Sequence, residues 1–278
     1  MKKNFKKLFG VIGFPLGHSY SPNIHNFWIK QKKIIAKYKK FEIKVKGLNK
    51  VIEKIRNREI NGLNVTIPYK IKVIKFLDAI EGDAKITQSV NTILFKNGKV
   101  VGENTDVYGI QRGFLKKIKN IKKKTVFILG AGGVVPSIIL ALKKNHVKKI
   151  VLCNRTMEKI KTIRKLFNKK FLSIKWKNRN KFMPRADIIF NATSLGMKKK
   201  PELNINTDLF KKKAIYCEII YNPLKTETIK KLNKLNIKSI DGLDMFIYQA
   251  EKSFILWHKK KPKLTYNQKE KFLISFYD

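Results

Sequence analysis

Cysteine and histidine are scarce in this sequence, which leaves few side chains for binding a metal. The chain has 278 residues, of which 2 are cysteines and 4 are histidines. Cys153 and Cys217 lie far apart and lack the spacing of a metal site, and no cluster of histidine, cysteine and carboxylate residues is found. We therefore expect no bound metal. The low cysteine content fits a reducing compartment, the cytoplasm.

The sequence also lacks a long hydrophobic run. The longest apolar run covers residues 126–142, contains 3 glycines and Pro136, and falls just short of a membrane span. The first seven residues are basic, but only a short apolar stretch follows before Pro15, which is not the pattern of a secretory signal peptide. We expect no membrane partner. A hydrophobic content of 43% with 18 phenylalanines is sufficient for a packed core.

Acidic residues are rare compared with basic ones. The chain has 19 Asp and Glu against 63 Lys and Arg, so its formal net charge is +44. A charge of this size suggests a nucleic-acid partner. The lysines are spread over nearly the whole chain, however, and no nucleic-acid-binding motif is found. We interpret the excess as a compositional bias of a solvated surface and expect no specific nucleic-acid partner, although the charge should attract small anions.

Local patterns predict an α/β fold in two parts. In the first part, strands are predicted at residues 7–14, 41–45 and 62–67, and helices at residues 22–33 and 48–57. Ser21 is the predicted N-cap of the first helix, with Pro22 at its first position. Asn97-Gly98, between strands predicted at residues 90–95 and 100–102, indicates a type I′ hairpin.

In the second part, helical and strand patterns alternate. Strands are predicted at residues 125–129, 149–153, 187–191, 214–219 and 238–240, and helices at residues 108–118, 134–144, 157–167 and 226–235. This alternation predicts a parallel sheet with helices on both faces. From Gly242 onward the sequence has helical periodicity and no strand pattern.

A glycine turn marks a candidate dinucleotide site. Gly130-Ala131-Gly132-Gly133 follows an apolar strand and opens a helix at Val134. The first glycine allows a tight turn, and the second lets the backbone approach a pyrophosphate at the helix N-terminus. Such a turn is a weak signal by itself, because a glycine turn that binds nothing has the same sequence. Val135 stands where the Rossmann pattern has Gly or Ala.

The end of the next predicted strand indicates which dinucleotide is bound. An NAD enzyme usually has Asp or Glu here to bind the ribose 2′-hydroxyl. This chain has Asn154-Arg155-Thr156, with Lys159 one helical turn later. A guanidinium and an amine suit a 2′-phosphate, and arginine is scarce beside lysine in this sequence. This position therefore favours NADP over NAD.

Polar residues in apolar surroundings mark a second candidate site. Ser19 and Ser21 lie at a predicted helix start, where two hydroxyls suit a carboxylate, although Ser21 alone is equally compatible with a simple helix cap. Asn64, Thr66 and Lys70 lie at the end of one predicted strand, in NVTIPYK. A lysine means little in so basic a chain, whereas Asp106 is one of only 19 acidic residues and is more informative.

These residues belong to an ordered set of motifs. In chain order the motifs are GFPLGHSYSPNIHN, NVTIPYK, SVNT, GENTD, GAGG, NRT, NATSLGM and DGLDMFIYQA, from about Gly13 to Gln249. The ordered set is specific, and it resembles the shikimate dehydrogenase family. The resemblance implies reversible, NADPH-dependent reduction of 3-dehydroshikimate to shikimate in chorismate and aromatic amino-acid biosynthesis. Hydride would pass between C4 of the nicotinamide and C3 of the substrate.

The resemblance also implies a domain division and residue roles. An N-terminal α/β substrate domain (residues 1–106), completed by C-terminal helices (residues 242–278), would flank a Rossmann-type NADP-binding domain at residues 107–241. Lys70 would be the catalytic amine, and Asp106 would orient it. Substrate contacts are implied for Ser19, Ser21, Thr66, Asn91, Asp106, Tyr221 and Gln249. Cofactor contacts are implied for Gly130, Ala131, Gly132, Gly133, Val134, Asn154, Arg155, Thr156, Lys159, Thr193, Ile219, Gly242 and Met245.

Other functions and some departures from the family stay open. A broader quinate/shikimate dehydrogenase would use NAD, which Arg155 argues against. A noncatalytic dehydrogenase-like binding protein would lack the catalytic lysine or aspartate, and both are present. Glu218 stands where the family usually has Asp, Val134-Val135 replace a usual pair of small residues, and Asp244 replaces a usual Gly. His18 and His25 are interpreted as structural, and a homodimer is left open.

Overall fold

The computed structural model describes residues 7–17, 19–168, 171–265 and 268. The chain divides into two compact units. We call Met1–Thr105 together with Gln249–Asp278 the terminal unit, and Asp106–Tyr248 the central unit. The domain limits expected from the sequence stay a prediction.

A mixed sheet of six strands forms the frame of the terminal unit. Its strands are β1 (Lys7–Gly13), β2 (Ala36–Glu42), β3 (Gly62–Val65), β4 (Ala79–Ile80), β5 (Thr92–Lys96) and β6 (Lys99–Glu103). Its helices include α1 (Ser21–Gln31), α2 (Leu48–Arg56) and α3 (Asp83–Thr87), with 3-10 turns at Val45–Gly47 and Lys72–Phe76. The strand order is β2-β1-β3-β5-β6-β4, and the pairs β3–β5 and β5–β6 are antiparallel.

The hairpin predicted in this unit is confirmed. Asn97 and Gly98 join β5 to β6, and both have positive φ angles, 50° and 77°. A type I′ turn requires positive φ at both central residues, and asparagine and glycine adopt this conformation most readily.

Two local predictions in the terminal unit are wrong. The strand predicted at residues 41–45 is in fact β2, which begins five residues earlier, at Ala36. Its first residues were missed because β2 is an edge strand in which only Tyr38 is buried, so its exposed lysines resemble a connector. Ser21 is not the N-cap of α1. Tyr20 is, and its carbonyl accepts hydrogen bonds from the backbone N–H groups of Asn23 (3.1 Å) and Ile24 (3.3 Å).

An aromatic cluster in the terminal unit contains His25, as a structural histidine would require. Its ring stacks on Tyr38 at a centroid distance of 4.3 Å, and it is 1% exposed. Trp28 and Phe254 also pack around it. His18, the other histidine interpreted as structural, lies outside the described residues.

A parallel sheet of six strands forms the central unit. Its strands are β7 (Thr125–Leu129), β8 (Lys149–Asn154), β9 (Leu172–Lys175), β10 (Ile188–Asn191), β11 (Ile215–Glu218) and β12 (Lys238–Ile240). The helices are α4 (Asp106–Gly113), α5 (Val135–Lys144), α6 (Met157–Leu166), α7 (Arg179–Phe182), α8 (Glu227–Lys234) and α9 (Leu243–His258), the last continuing into the terminal unit. Short 3-10 turns occur at Leu115–Lys117, Ile121–Lys123, Trp176–Asn178, Met183–Arg185 and Thr207–Leu209.

The strand order of the central unit is β12-β11-β10-β7-β8-β9, and all of its pairs are parallel. Alternate residues of β7 enter different cores: Val126 and Ile128 pack with α5 and α6, whereas Phe127 and Leu129 pack with α8. The predicted parallel sheet with helices on both faces is therefore confirmed. The order reverses between β7 and β10, which is where ligands bind in folds of this kind. Among the described residues, none of the helices has the length and hydrophobicity needed to cross a bilayer.

Candidate active site

The two serines predicted to bind a carboxylate lie together at the start of α1. The Ser19 hydroxyl donates to the Ser21 hydroxyl oxygen at 3.3 Å, and the backbone N–H of Ser21 donates to the Ser19 Oγ at 3.4 Å. Because Ser21 is the first residue of the helix rather than its cap, its hydroxyl is not used to cap the backbone. Two neighbouring hydroxyls at the positive end of a helix dipole suit a carboxylate.

A buried amide links three segments of the terminal unit. The Asn91 side chain is 2% exposed, donates to the Thr105 Oγ1 at 2.9 Å and to the Gln249 Oε1 at 3.3 Å, and accepts from the Thr105 backbone N–H at 2.7 Å. Sequence reasoning missed Thr92 and Ser253, which extend this network. Their hydroxyl oxygens lie 2.7 Å apart, within hydrogen-bond distance. The available signal was a hydroxyl residue within an apolar strand and a serine one helical turn after Gln249.

The loop that carries Lys70 is anchored at several points. Backbone hydrogen bonds fix the Thr66 N–H to the Ile12 carbonyl (2.9 Å) and the Val90 N–H to the Lys70 carbonyl (2.8 Å). The Tyr69 ring is buried in the core, and its hydroxyl donates to the Ile43 carbonyl at 2.6 Å. The side chains of Thr66 and Lys70 are half-buried. The amine therefore stands on a well-fixed backbone.

Asp106 is the first residue of the central unit and opens α4. Its side chain is 2% exposed. A carboxylate in the first turn of a helix is electrostatically favourable, because the helix dipole is positive there. The one acidic residue that the sequence marked as informative is therefore buried.

The glycine turn of the central unit has the geometry of a phosphate-binding loop. Gly130 has a φ of +111°, and a Cβ at this position would lie 2.7 Å from the Ala192 carbonyl oxygen, so only glycine is accommodated. At Gly132 a Cβ would be 4.0 Å from the same oxygen, and this residue is exposed. Gly132 and Gly133 thus present backbone rather than side chains beside the start of α5. This cradle fits a dinucleotide pyrophosphate.

The first residues of α5 differ from the usual small pair without leaving a gap. Val135 is completely buried in the core of the central unit, and its N–H donates to the Gly132 carbonyl at 3.0 Å. Val134 is the N-cap and is partly buried against the same core. The bulk of the two valines is therefore taken up by packing.

The end of β8 presents cations. Arg155 and Lys159 are both exposed, and the Asn154 side-chain amide donates to the Thr156 carbonyl at 2.9 Å, which shapes the turn into α6. Thr156 is the extended residue that precedes this helix. Two exposed cations at this strand end suit a 2′-phosphate. The strand itself ends in Asn154 rather than in the carboxylate that would bind a free 2′-hydroxyl.

The remaining predicted cofactor residues lie on loops of the central unit. Thr193 follows β10, and its backbone N–H (3.0 Å) and its hydroxyl (2.7 Å) both donate to the Asn191 Oδ1. Gly242 packs against the loop after β11, where a Cβ would lie 2.7 Å from the Ile219 carbonyl carbon. Met245 is 6% exposed, and its backbone lies against Gly113 of α4.

Aromatic stacking and an ion pair hold the neighbouring region. The Tyr221 ring stacks on Phe246 at a centroid distance of 4.3 Å. Asp244, which replaces a usual glycine, forms an ion pair with Lys117 at 2.5 Å. This departure from the family therefore has a local partner.

Glu218 is a buried carboxylate whose role sequence reasoning missed. It is completely buried at the end of β11 and accepts hydrogen bonds from Tyr216, Asn191, Thr226 and the Ile220 backbone. Burial raises its pKa to about 7. The available signal was an acidic residue kept at the end of an apolar strand in an acid-poor chain.

Comparison with known proteins identifies the family. Residues 11–93 match the shikimate dehydrogenase substrate binding domain, and residues 114–245 match the shikimate / quinate 5-dehydrogenase family. The chain is 44% identical to a shikimate dehydrogenase (NADP(+)) of Pelagibacter ubique over 93% of its own length and 96% of that protein's.

Solved structures are similar over nearly the whole chain. A shikimate dehydrogenase in complex with NADP+ has a TM-score of 0.87 and 32% identity, covering 97% of this chain and 95% of that one. A quinate dehydrogenase from Corynebacterium glutamicum in complex with NAD has a TM-score of 0.86 and 26% identity, covering 97% of this chain and 99% of that one. These matches confirm the predicted fold class, an α/β substrate domain with a Rossmann-type domain. The chain belongs to the shikimate dehydrogenase family.

Proposed function

We propose that this chain catalyses the reversible, NADPH-dependent reduction of 3-dehydroshikimate to shikimate in chorismate and aromatic amino-acid biosynthesis. The observation that carries this proposal is the cradle at Gly130, which excludes any side chain, together with Arg155 at the end of the next strand. The relatives' names agree, because the Pelagibacter ubique protein is a shikimate dehydrogenase (NADP(+)). The predicted enzyme class, oxidoreductase, and the predicted cofactor, NADP, are confirmed by these relatives.

The central unit is proposed to hold the cofactor through backbone and cations. The N–H groups at the start of α5 bind the pyrophosphate, and Arg155 and Lys159 bind the 2′-phosphate. NADPH, when bound, supplies the hydride. The other proposed contacts are Gly130, Ala131, Gly132, Gly133, Val134, Asn154, Thr156, Thr193, Ile219, Gly242 and Met245.

Lys70 is proposed to move the proton that accompanies the hydride. Its Nζ donates a proton to the carbonyl oxygen of 3-dehydroshikimate as that oxygen becomes a hydroxyl, and takes the proton back in the reverse direction. Asp106 is the second proposed catalytic group. Because Tyr69 anchors the loop, the backbone that carries Lys70 loses little conformational freedom when the substrate binds.

The terminal unit is proposed to recognise the substrate mainly through hydroxyl and amide groups. Ser19 and Ser21 bind the shikimate carboxylate, because their hydroxyl oxygens lie 3.3 Å apart at the start of α1, where the helix dipole is positive. The ring hydroxyls are bound by Thr66, Asn91 and Gln249, and Asp106 and Tyr221 are also proposed contacts. An already hydrogen-bonded amide such as Asn91 holds a fixed orientation and therefore discriminates between hydroxyl positions.

The test is turnover of shikimate with NADP, followed by absorbance of the reduced nicotinamide. Lys70→Ala and Asp106→Asn should each lower kcat by about 10²- to 10⁴-fold, the range for loss of a general acid or base. Lys72→Ala and Asp208→Asn, at exposed positions, are matched controls that should keep full activity. Lack of turnover by the wild-type chain would refute the proposal.

A second candidate is oxidation of quinate with NAD. It is favoured by the similarity to the Corynebacterium glutamicum quinate dehydrogenase in complex with NAD. Arg155 argues against it, because a guanidinium offers no acceptor to a ribose 2′-hydroxyl. Equal kcat/KM for quinate with NAD and for shikimate with NADP would favour this broader activity.

We also propose that the enzyme works in the cytoplasm and has no specific nucleic-acid partner despite its charge of +44. A homodimer is the proposed assembly, to be tested by light scattering coupled to size-exclusion chromatography. A monomeric mass at micromolar concentration would contradict it.

A further inference from the structure

The carboxylate of Glu218 receives four hydrogen bonds inside the central unit. Its Oε2 accepts from the Tyr216 hydroxyl (2.8 Å), the Asn191 Nδ2 (3.1 Å) and the Thr226 hydroxyl (3.3 Å), and its Oε1 accepts from the Ile220 N–H (3.2 Å). All four partners are donors. A buried carboxylate with this many donors has a fixed orientation, and its hydrogen bonds restrict the positions of the segments that carry the donors.

Three of these donors belong to different segments at the carboxyl edge of the sheet. Asn191 ends β10, Ile220 follows β11, and Thr226 is the N-cap of α8, where its hydroxyl also accepts from the Ile229 N–H. Tyr216, in contrast, lies on β11 itself. Glu218 therefore adds side-chain links between segments that the β10–β11 pairing and the Ile219 N–H to Asn191 carbonyl hydrogen bond already bring together.

The link from Asn191 leads to a proposed cofactor residue. While its Nδ2 donates to Glu218 and to the Leu195 carbonyl (3.1 Å), its Oδ1 accepts from both the backbone N–H and the hydroxyl of Thr193. The link from Ile220 leads to a second one, because the Ile220 carbonyl accepts from the Gly242 N–H at 3.2 Å. Both connections extend from one carboxylate.

We infer that Glu218 is a positioning residue for NADP binding, which holds the loops after β10 and β11 in the geometry that the cofactor requires. This inference rests on the proposed function. Glu218 acts through Asn191 and Ile220, so its loss should weaken cofactor affinity more than it changes the rate of the chemical step.

The ionisation state of Glu218 should control this link. Burial raises its pKa to about 7. The titratable groups beside it are the Tyr216 hydroxyl and the Cys217 thiol, whose pKa values burial also raises, so both stay neutral near pH 7. On α8, exposed Glu227 and Lys230 pair with each other at 2.6 Å. Protonation removes the negative charge of the carboxyl, so its four charge-assisted hydrogen bonds become weaker.

The test compares NADP affinity of the wild-type chain and Glu218→Gln by titration calorimetry between pH 6 and pH 8.5. The amide directs two N–H groups at existing donors, so Glu218→Gln should bind NADP about tenfold more weakly at pH 8.5. The wild-type affinity should fall towards that of the variant as pH decreases through 7. The 2′-phosphate also titrates in this range, but its effect is common to both proteins and cancels in the ratio of their dissociation constants.

Three further variants sharpen the test. Glu227→Gln makes the same chemical change at an exposed site of the same unit and should bind NADP like the wild type. Glu218→Asp keeps the charge and should recover part of the affinity. Tyr216→Phe removes the one donor that lies on a strand rather than on a loop, so NADP affinity at pH 8.5 should stay near that of the wild type. Because the carboxylate loses a hydrogen bond, the pKa of Glu218 rises, and the pH midpoint of NADP affinity should move to higher pH.

The outcomes separate this inference from the proposed function. NADP affinity that is equal in the wild type and Glu218→Gln across the pH range would overturn the inference alone. If Glu218→Gln does not fold, an identical pH midpoint in the wild type and Tyr216→Phe would overturn it. A wild-type chain that does not bind NADP at any pH would overturn the proposed function as well.

Discussion

The two units contain candidate sites of different construction. In the terminal unit the proposed substrate groups are side chains that other side chains hold, and Asn91 contacts Gln249 across 158 positions in sequence. In the central unit the proposed phosphate site is backbone, made by Gly130 to Val134 within one short turn. A backbone site can therefore be recognised in a short stretch of sequence, whereas a side-chain site depends on the fold that assembles it.

The largest effect is expected at the backbone site. Gly130→Ala places a Cβ 2.7 Å from the Ala192 carbonyl oxygen at a φ of +111°. The clash and the unfavourable φ should together lower the free energy of unfolding by about 3 kcal/mol or more and abolish NADP binding. Denaturant unfolding and NADP titration measure both effects. Gly17→Ala is the control, because no atom lies within 4 Å of a Cβ there, and equal behaviour of the two variants would contradict the account.

The next effect belongs to the aromatic cluster of the terminal unit. Burial, and then the charge of His258, lower the pKa of His25 to about 3 from an ordinary 6.5. The unfolded chain therefore binds a proton between pH 6.5 and 3 that the folded chain does not, so stability is full above pH 6.5 and is lost as pH falls. This single group should remove about 2 kcal/mol between pH 7.5 and 5.

Unfolding by urea at pH 7.5 and pH 5 measures this loss. His25→Phe should make it smaller, since a phenyl ring fills similar space and takes up no proton. His146→Asn, at an exposed position with a φ of 53° that asparagine tolerates, controls for the loss of a histidine elsewhere. An undiminished acid sensitivity in His25→Phe would show that other groups cause it.

The smallest effect concerns the choice of cofactor. Arg155→Ala removes the guanidinium proposed to bind the 2′-phosphate, so NADP affinity should fall about tenfold while NAD affinity stays the same. Arg164→Ala, on α6 of the same unit, is the control. A parallel loss of NAD and NADP affinity would mean that Arg155 does not read the phosphate.

The same contrast explains how much could be predicted from sequence. The hairpin at Asn97-Gly98 and the parallel sheet of the central unit were predictable, because turn chemistry and the alternation of elements are local signals. Edge strands were predictable only in part: β12 was predicted, but β2, which carries exposed lysines, was misplaced, and β9, whose outer residues are exposed, was missed. Edge strands bury little, so their hydrophobic periodicity is weak.

Candidate residues divide in the same way. Gly130 and Arg155 could be selected from position alone, because each stands at a strand end with a local physical reason. Asn91, Gln249 and Tyr221 came only from the resemblance to a family. Glu218 was noticed as a departure from that family, but its hydrogen bonds to Asn191 and Thr226 join separate segments and could not be read from the sequence.

The central claim is that the substrate binds mainly to side chains of the terminal unit, whereas the cofactor pyrophosphate binds to backbone of the central unit. Separate titrations of shikimate and NADP into Asn91→Ala and Gly132→Ala test it most directly. Asn91→Ala should weaken shikimate binding about tenfold and leave NADP binding unchanged, whereas Gly132→Ala, in open space, should do the reverse. Loss of both ligands to the same degree in both variants would contradict the account.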